Sequence, residues 1–155
     1  MSVTVEWFDG SRDRLAALFA LADDSAALVA GYRDAGRVLV AVDGTEIVGH
    51  LQLIESPDPG VVEVKSLAVL EPRHGQGIGR RLVEHAVSVC RREGVATLLV
   101  ATAAADVGAL RFYQRVRFRM LSVERDVFTP ERGYPEMDVD GIPLRDQVWL
   151  SLAVD

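Results

Sequence analysis

A strand, a glycine-rich turn and an amphipathic helix follow one another in the middle of this chain. Val61 to Leu70 is rich in β-branched residues, a composition typical of a strand. After the turn, apolar residues recur at every fourth position along one helical face, namely Ile78, Leu82, Ala86 and Cys90. This helix is expected to end near Gly94, and Thr97 to Ala101 predicts a second, buried strand. Because a helical crossover connects the two strands, they should lie parallel in one sheet.

The remaining strands are predicted to be antiparallel. Arg37 to Val42 and Glu46 to Ile54 are β-branched runs joined by Asp43-Gly44, a dipeptide that favours a tight hairpin. Further strands are predicted at Val3 to Trp7, Arg119 to Val127 and Gln147 to Val154. Further helices are predicted after Ser11, at Ser25 to Ala35 and at Val107 to Arg115. We therefore expect one domain over residues 1–155 of the α/β (α+β) class, with a mixed, mostly antiparallel sheet of about seven strands and about four helices.

Composition limits the kinds of partner. The 155 residues include 49% hydrophobic and 26% charged side chains, the balance of a soluble globular domain. No apolar stretch approaches the roughly 18–20 residues of a membrane span, so we expect no membrane contact. The net charge of −6 argues against nucleic acid, which requires a clustered basic surface. The single cysteine, Cys90, cannot form an internal disulfide and the histidines lack metal-ligand spacing, so a cytoplasmic protein without a metal is expected.

The turn between the central strand and helix is a candidate phosphate site. It reads Pro72-Arg73-His74-Gly75-Gln76-Gly77-Ile78-Gly79-Arg80. Glycines let a ligand approach the backbone, and the first N–H groups of a helix point outward at the positive end of the helix dipole. A dinucleotide fingerprint is excluded because Arg80 and Leu82 stand where its third glycine would be. No Gly-Lys-Ser/Thr tripeptide supports a P-loop. A purely conformational role for the glycines stays open at this point.

This turn resembles motif A of the GNAT acetyltransferases, in which Gln/Arg-x-x-Gly-x-Gly/Ala opens a helix after a strand. Here the motif stands as His74-Gly75-Gln76-Gly77-Ile78-Gly79, with His74 in place of Gln or Arg. Phe112 to Phe118 is similar to a second signature of the family, Phe-Tyr-x-x-x-Gly-Phe, with Arg117 in place of glycine. Ala104 or Ala105 stands where the family often has an Asn. The likeness covers about Val38 to Phe128 and implies N-acetyl transfer from acetyl-coenzyme A (acetyl-CoA).

The resemblance implies two groups of cofactor-binding residues. Backbone N–H groups from His74 to Arg80 would hold the pyrophosphate of coenzyme A (CoA), with Arg73 or Arg80 supplying positive charge. The backbone at Leu67 to Val69 would pair with the pantetheine, where this strand splays from its parallel neighbour. The full set is Leu67, Ala68, Val69, Arg73, His74, Gly75, Gln76, Gly77, Ile78, Gly79 and Arg80.

Direct acetyl transfer needs a base and an acid. Glu63 is the candidate base, since some family members carry a base glutamate on this strand and partial burial would raise its pKa. A strand glutamate that merely faces solvent is the alternative. Tyr113 is the candidate acid because the family places a tyrosine of this helix near the thioester sulfur; a core aromatic is the alternative. His50 is a second candidate base, although a lone histidine on a hairpin strand is more often structural. Cys90, on the apolar helical face, is expected in the core rather than at the site.

The acceptor is expected to be a primary amine, and a small molecule is favoured over a peptide as the source of that amine. Four acids in the loop from Thr129 to Pro143 would attract a cationic one: Glu131, Glu136, Asp138 and Asp140. A non-catalytic acyl-CoA binding or sensing module of the same fold is the alternative function, which the missing Asn and Arg117 would suit. An interaction domain that has lost the cofactor is a third. Whether the chain forms a homodimer is left open.

Overall fold

The computed structural model describes residues 2–155, and its main sheet has seven strands. In chain order the strands are β1 (Val3–Phe8), β2 (Arg37–Asp43), β3 (Glu46–Glu55), β4 (Val61–Val69), β5 (Thr97–Ala103), β6 (Arg119–Glu124), β7 (Asp138–Val139), β8 (Ile142–Pro143) and β9 (Gln147–Ala153). The helices are α1 (Ala16–Ala22), α2 (Ala26–Tyr32), α3 (Ile78–Arg92) and α4 (Val107–Arg115). Strands β7 and β8 form a separate two-stranded ribbon. The predicted fold class is confirmed.

The order of strands in the main sheet is β1-β2-β3-β4-β5-β9-β6. Every neighbouring pair is antiparallel except β4 and β5, which are parallel and joined through α3. The last strand of the chain, β9, inserts between β5 and β6. A long connection that returns a strand to the middle of a sheet leaves no trace in local sequence patterns, so only the existence of β9 could be predicted.

Strands β4 and β5 are paired over only part of their lengths, through four of the nine residues of β4 and four of the seven residues of β5. The parallel register runs from Val61 opposite Thr97 to Val64 opposite Val100 and then stops. Beyond that point β4 stays paired with β3 as far as Val69, while β5 stays paired with β9. The two strands therefore separate, and a gap opens in the middle of the sheet.

Helix α3 covers one face of the sheet with its predicted apolar side. Its buried residues are Ile78, Leu82, Val83, Ala86, Val89 and Cys90. Each large aliphatic side chain buried in this way contributes about 1.5–3 kcal/mol. Cys90 is fully buried in this cluster, as predicted. Gly49 of β3 allows the close approach, because a Cβ there would lie 3.1 Å from the Ala68 carbonyl oxygen and 3.3 Å from Leu82.

Helices α1 and α2 cover the opposite face. Leu15, Leu18 and Phe19 pack on Val38 and Val40 in a second core cluster. The C-terminal end of α2 is fixed by two side chains from elsewhere. The buried amide of Gln52 donates to the carbonyls of Tyr32 (2.8 Å) and Ala35 (2.9 Å). The guanidinium of Arg12 donates to Arg33, Ala35 and Gly36. These contacts hold α2 beside the gap between β4 and β5.

Predicted and observed boundaries differ by three residues at the end of α2, which ends at Tyr32 rather than Ala35, and at the end of β6. Strand β6 ends at Glu124 rather than Val127, because Asp126 adopts a left-handed φ of 58° and bonds to Arg145 at 2.6 Å. The ribbon of β7 and β8 lies inside the segment that was expected to be a loop. Among residues 2–155, no helix is long and apolar enough to cross a membrane.

Candidate functional site

A cavity of about 710 Å³ opens where β4 and β5 separate. The cofactor-binding residues predicted from sequence that line it are Leu67, Ala68, Val69, Arg73, His74, Gly75, Gly77, Ile78, Gly79 and Arg80. Tyr113 lines it as well, whereas Gln76 and Glu63 are not among its lining residues. Its other walls come from α4 and from Leu21 of α1. The cavity therefore extends from the glycine-rich turn through the gap towards the α1 side of the sheet.

The backbone of the turn presents a run of unpaired N–H groups. The first hydrogen bond of α3 is donated by Arg81 to the carbonyl of Gly77. Within the described residues, the six N–H groups from Gly75 to Arg80 have no acceptor. The His74 N–H, in contrast, donates to the Glu71 carbonyl at 3.0 Å. The amide of His74, predicted as the first of the cradle, is therefore paired within the short 3₁₀ turn at Glu71–Arg73, and the unpaired amides begin at Gly75.

Two glycines shape this turn. Gly75 and Gly77 have φ values of 79° and 78°, in the left-handed region that favours glycine. No heavy atom lies within 4 Å of a Cβ built on either residue, so both face open space. Gly77 is also the N-cap of α3 and provides no capping side chain. The start of α3 is thus left for an external acceptor, with the positive end of the helix dipole behind it.

The basic side chains around the turn are not equivalent. The guanidinium of Arg73 contacts Asp43 at 2.7 Å, Glu46 at 3.5 Å and Gln76 at 3.2 Å. Arg80 forms no ion pair with a described residue and makes one long contact, 3.4 Å, to the Arg115 carbonyl. The uncompensated positive charge at the turn is therefore that of Arg80.

The imidazole of His74 ties the turn to the end of β4. Its Nε2 lies 2.7 Å from the carbonyl oxygen of Val69 and must donate to it. Because Val69 lines the gap and His74 directly precedes the unpaired run, this bond fixes the two parts of the cavity relative to each other. An Arg or Gln at position 74, as in the family motif, also has a side-chain donor for such a bond.

Sequence reasoning missed Asp106, the N-cap of α4. Its carboxylate accepts from the Ala109 N–H at 2.9 Å, and the residue lines the cavity. The resemblance to the family pointed to Ala104 or Ala105, where the family often has an Asn, but Ala105 is buried in the core. The available signal was the capping preference, since Asp directly before a helical pattern is a strong N-cap.

Tyr113 is both a core aromatic and a cavity residue. Its ring packs edge-on against Phe112 and Phe118, with centroids 5.2 Å and 5.6 Å away. Only 8% of the residue is exposed, and its hydroxyl has no hydrogen-bond partner among the described residues. Burial, and secondarily the charge of Asp106, raises the pKa of Tyr113. The phenol is therefore protonated at neutral pH.

Glu63 and His50 occupy different environments. Glu63 is half-buried on β4, opposite Ile54 and Leu99, on the face away from Val62 and Val64. Burial raises the pKa of its carboxyl group, and the nearby positive charge of Lys65 opposes that effect. His50 is fully buried, bonds Ser66 at 2.8 Å and packs on Phe19.

Burial, and to a lesser extent the charge of Arg12, lowers the pKa of His50 to about 3. A neutral imidazole with no exposed surface cannot exchange protons with a substrate in the cavity. The alternative in which His50 is structural is the one that this environment favours.

The acids expected to attract an acceptor lie apart from the cavity. Glu131, Glu136, Asp138 and Asp140 are exposed and do not line it. The acids of the cavity wall are Glu71, next to the glycine-rich turn, and Asp106. The charge of Asp106 contributes, after burial and Asp23, to raising the pKa of Asp24. Asp24 lies two residues beyond the end of α1 and does not itself line the cavity.

Comparison with known proteins identifies the family. Residues 5–118 match the model of the acetyltransferase (GNAT) family. An uncharacterized N-acetyltransferase of Bacillus subtilis, YvbK, is 32% identical over 96% of this chain and 94% of its own. A B. subtilis acetyltransferase in complex with CoA superposes with a TM-score of 0.87 at 29% identity, covering 98% of this chain and 99% of that one. A GNAT acetyltransferase of Elizabethkingia anophelis with acetyl-CoA bound gives 0.88 at 25% identity, over 97% of each chain. The chain therefore belongs to the GNAT family of acetyltransferases.

Proposed function

We propose that this protein transfers the acetyl group of acetyl-CoA to a primary amine of a small molecule, by direct attack in a ternary complex. The observation that carries the proposal is the run of six unpaired N–H groups from Gly75 to Arg80, since five of these six residues line the same cavity as Tyr113. Unpaired amides at a helix N-terminus are a site for phosphate groups. A volume of about 710 Å³ suits a ligand of cofactor size.

The proposed cofactor site follows the cavity from one end to the other. The diphosphate would accept hydrogen bonds from the amides of Gly75 to Arg80, with Arg80 adding charge. The pantetheine arm would lie along Leu67 to Val69, where β4 has no partner strand on its β5 side. The thioester supplies the activated acetyl group, and its carbonyl would accept an N–H near Val69.

The proposed proton transfers involve Glu63 and Tyr113. An attacking amine must lose a proton, and the raised pKa of the half-buried Glu63 suits a base. Because Glu63 does not line the cavity, a water molecule would connect it to the amine. The departing CoA thiolate needs a proton, and the unpartnered hydroxyl of Tyr113 is a protonated donor in the cavity wall.

The proposed acceptor enters from the α1 side and is cationic. Asp106 in the cavity wall and Asp24, which is near enough to feel the charge of Asp106, support this, since carboxylates in and near the cavity attract a positively charged amine. The four loop acids around Glu131 and Asp138 would act at longer range. The proposed location is the cytoplasm, a reducing compartment, since the single cysteine is buried and unpaired.

Two measurements test the proposal in sequence. CoA should raise the melting temperature of the protein, and the Gly77→Arg variant, which fills the open space at the turn, should lose this shift. Thiol release from acetyl-CoA should then respond to members of an amine panel. A thermal shift without thiol release for any amine would favour the non-catalytic acyl-CoA sensor. Absence of a thermal shift in the folded wild type would refute the cofactor site itself.

A further inference from the structure

The sequence contains a single lysine, Lys65, and it lies on the strand that borders the cavity. The other basic side chains, apart from the histidines, are arginines, and a guanidinium group is a poor acyl acceptor. Lys65 is exposed, two positions after Glu63 and two before Leu67. The only lysine ε-amine of the protein is thus next to the proposed base and the proposed pantetheine groove.

Lys65 is located where β4 leaves β5. The last parallel pair is Val64 with Val100, and the next residue, Lys65, is skipped in the register with β3. Ser66 pairs with Gln52 and Val64 with Leu53, so Lys65 is the extra residue of a β-bulge. Bulges redirect a side chain. Here the bulge lies where the gap begins, and Lys65 itself does not line the cavity.

The ammonium group of Lys65 extends over α2. Its Nζ lies 4.8 Å from the ring centroid of Tyr32, a cation–π contact. It forms no ion pair with a carboxylate of the described residues. A single contact of this kind contributes about 0.5–1 kcal/mol at an exposed site, so the flexible side chain can leave it at small cost. Leu67, which lines the cavity, lies about 7 Å further along the strand.

We propose that Lys65 is a self-acetylation site of this protein, and this inference rests on the proposed acetyltransferase function. The neutral ε-amine attacks the thioester carbonyl carbon, a C–N bond forms and the C–S bond breaks. The ammonium group first loses one proton to solvent to give this amine, the second proton leaving nitrogen passes to Glu63, and the thiolate takes a proton from Tyr113 to leave as CoA. The products are Nε-acetyl-Lys65 and free CoA.

Acetylation at Lys65 would alter the site in two ways. It removes the cation over the Tyr32 ring, so the contact between β4 and α2 at this point is lost. It also removes the positive charge that opposes the raised pKa of Glu63, so the carboxyl group would hold its proton to higher pH. The modified protein would thus need a higher pH for amine acetylation.

The mass of the intact protein provides the test. Wild type incubated with acetyl-CoA should gain one acetyl group, and peptide mapping should place it on Lys65 rather than the N-terminal amine. Lys65→Arg should gain none at this peptide while keeping its melting temperature and its thermal shift with CoA. Glu63→Gln should slow the modification by about 10–100-fold. An unmodified Lys65 in wild type, with CoA bound, would overturn the inference.

Controls separate templated transfer from chemical acetylation. Acetyl phosphate, a reactive donor without the nucleotide, should modify Lys65 at least about tenfold more slowly than acetyl-CoA at equal concentration. Excess CoA should suppress the reaction with acetyl-CoA. The rate constant should be independent of protein concentration, and a proportional increase would refute transfer within one molecule. Equal rates with both donors would refute catalysis by the site.

The two proposals fail separately. If amines are acetylated and Lys65 is not, the self-acetylation site is wrong and the acetyltransferase function stands. If CoA produces no thermal shift in the folded protein, the proposed function fails, and with it the reason for modification at Lys65.

Discussion

The guanidinium of Arg73 is held 2.7 Å from the carboxylate of Asp43, so the glycine-rich turn is joined to the β2-β3 hairpin. Only 18% of the Arg73 side chain is exposed, and Glu46 and Gln76 occupy its other donors. An arginine committed to these partners positions the turn. Arg80 has no carboxylate partner, so its guanidinium is available to bind a phosphate group.

Variants at these two arginines should therefore have different effects. Arg80→Ala should weaken CoA binding about tenfold, the loss expected for one charge-assisted contact to phosphate. Arg73→Ala should lower the melting temperature and change CoA affinity less. Titration calorimetry and thermal unfolding of both variants check this. A larger affinity loss for Arg73→Ala than for Arg80→Ala would reverse the assignment.

Tyr113→Phe should lower kcat by about 10²–10⁴-fold with CoA affinity nearly unchanged, because the variant removes only the hydroxyl. The ring still packs between Phe112 and Phe118, so the fold should be retained. Steady-state thiol release and CoA titration measure the two quantities. Phe118→Leu, a change in the same cluster without loss of a hydroxyl, is the matched control. Unaltered turnover of Tyr113→Phe would remove Tyr113 from the mechanism.

Glu63→Gln should change both the pH profile and the stability. The raised pKa of Glu63 places the ascending limb of kcat/KM above the usual range of a glutamate, and the variant should lose this limb. A folded-state pKa above the unfolded one means that the folded protein binds this proton more tightly. The contribution of Glu63 to the free energy of unfolding is therefore fully present at low pH and is lost as the pH rises through its folded-state pKa.

Glu63→Gln should thus raise the melting temperature at neutral pH and leave it unchanged at about pH 4 or below, where the carboxyl group is protonated. Thermal unfolding at several pH values measures the difference. Glu55→Gln, an exposed glutamate of the adjacent strand, is the control and should show no such dependence. A pH-independent difference between Glu63→Gln and wild type would contradict the linkage.

The buried amide of Gln52 should be a major support of α2. Gln52→Leu leaves the Tyr32 carbonyl without its partner, whereas Arg12 still donates to Ala35. Loss of a buried hydrogen bond costs about 1–3 kcal/mol. Denaturant unfolding should show this loss, and hydrogen exchange should increase in α2 before the sheet. A neutral effect would mean that α2 is held by its apolar contacts alone.

Local patterns in the sequence predicted the fold well. Asp43-Gly44 marked the hairpin, and the four-residue apolar spacing from Ile78 to Cys90 marked α3. These local patterns could not predict contacts between positions that are far apart in the sequence. The pairing of Arg73 with Asp43 spans thirty residues, and the insertion of β9 depends on the whole sheet. The sequence therefore predicted which positions form the candidate site. Which of those residues are free to bind a ligand could be seen only in the structure, where their hydrogen-bond and ion-pair partners are visible.

Arg117 stands where the family signature has a glycine, and its backbone has a φ of 85°. This left-handed conformation costs a non-glycine residue about 1–2 kcal/mol, and the Phe118 amide bonded to Tyr113 at 2.9 Å holds the turn in place. Arg117 is exposed and forms no ion pair with a described residue. Arg117→Gly should therefore stabilise the protein, although glycine's greater freedom in the unfolded chain offsets part of the gain.

The expected net change is about 1 kcal/mol, or a rise in melting temperature of about 2–4 °C for a domain of this size. Asp126→Gly is the matched control, because Asp126 is also left-handed, with a φ of 58°, but its carboxylate bonds to Arg145. Relief of backbone strain there comes with loss of this pair, so its gain should be smaller. Thermal unfolding of both variants decides the matter, and a destabilised Arg117→Gly would mean that the side chain makes a contribution larger than the strain.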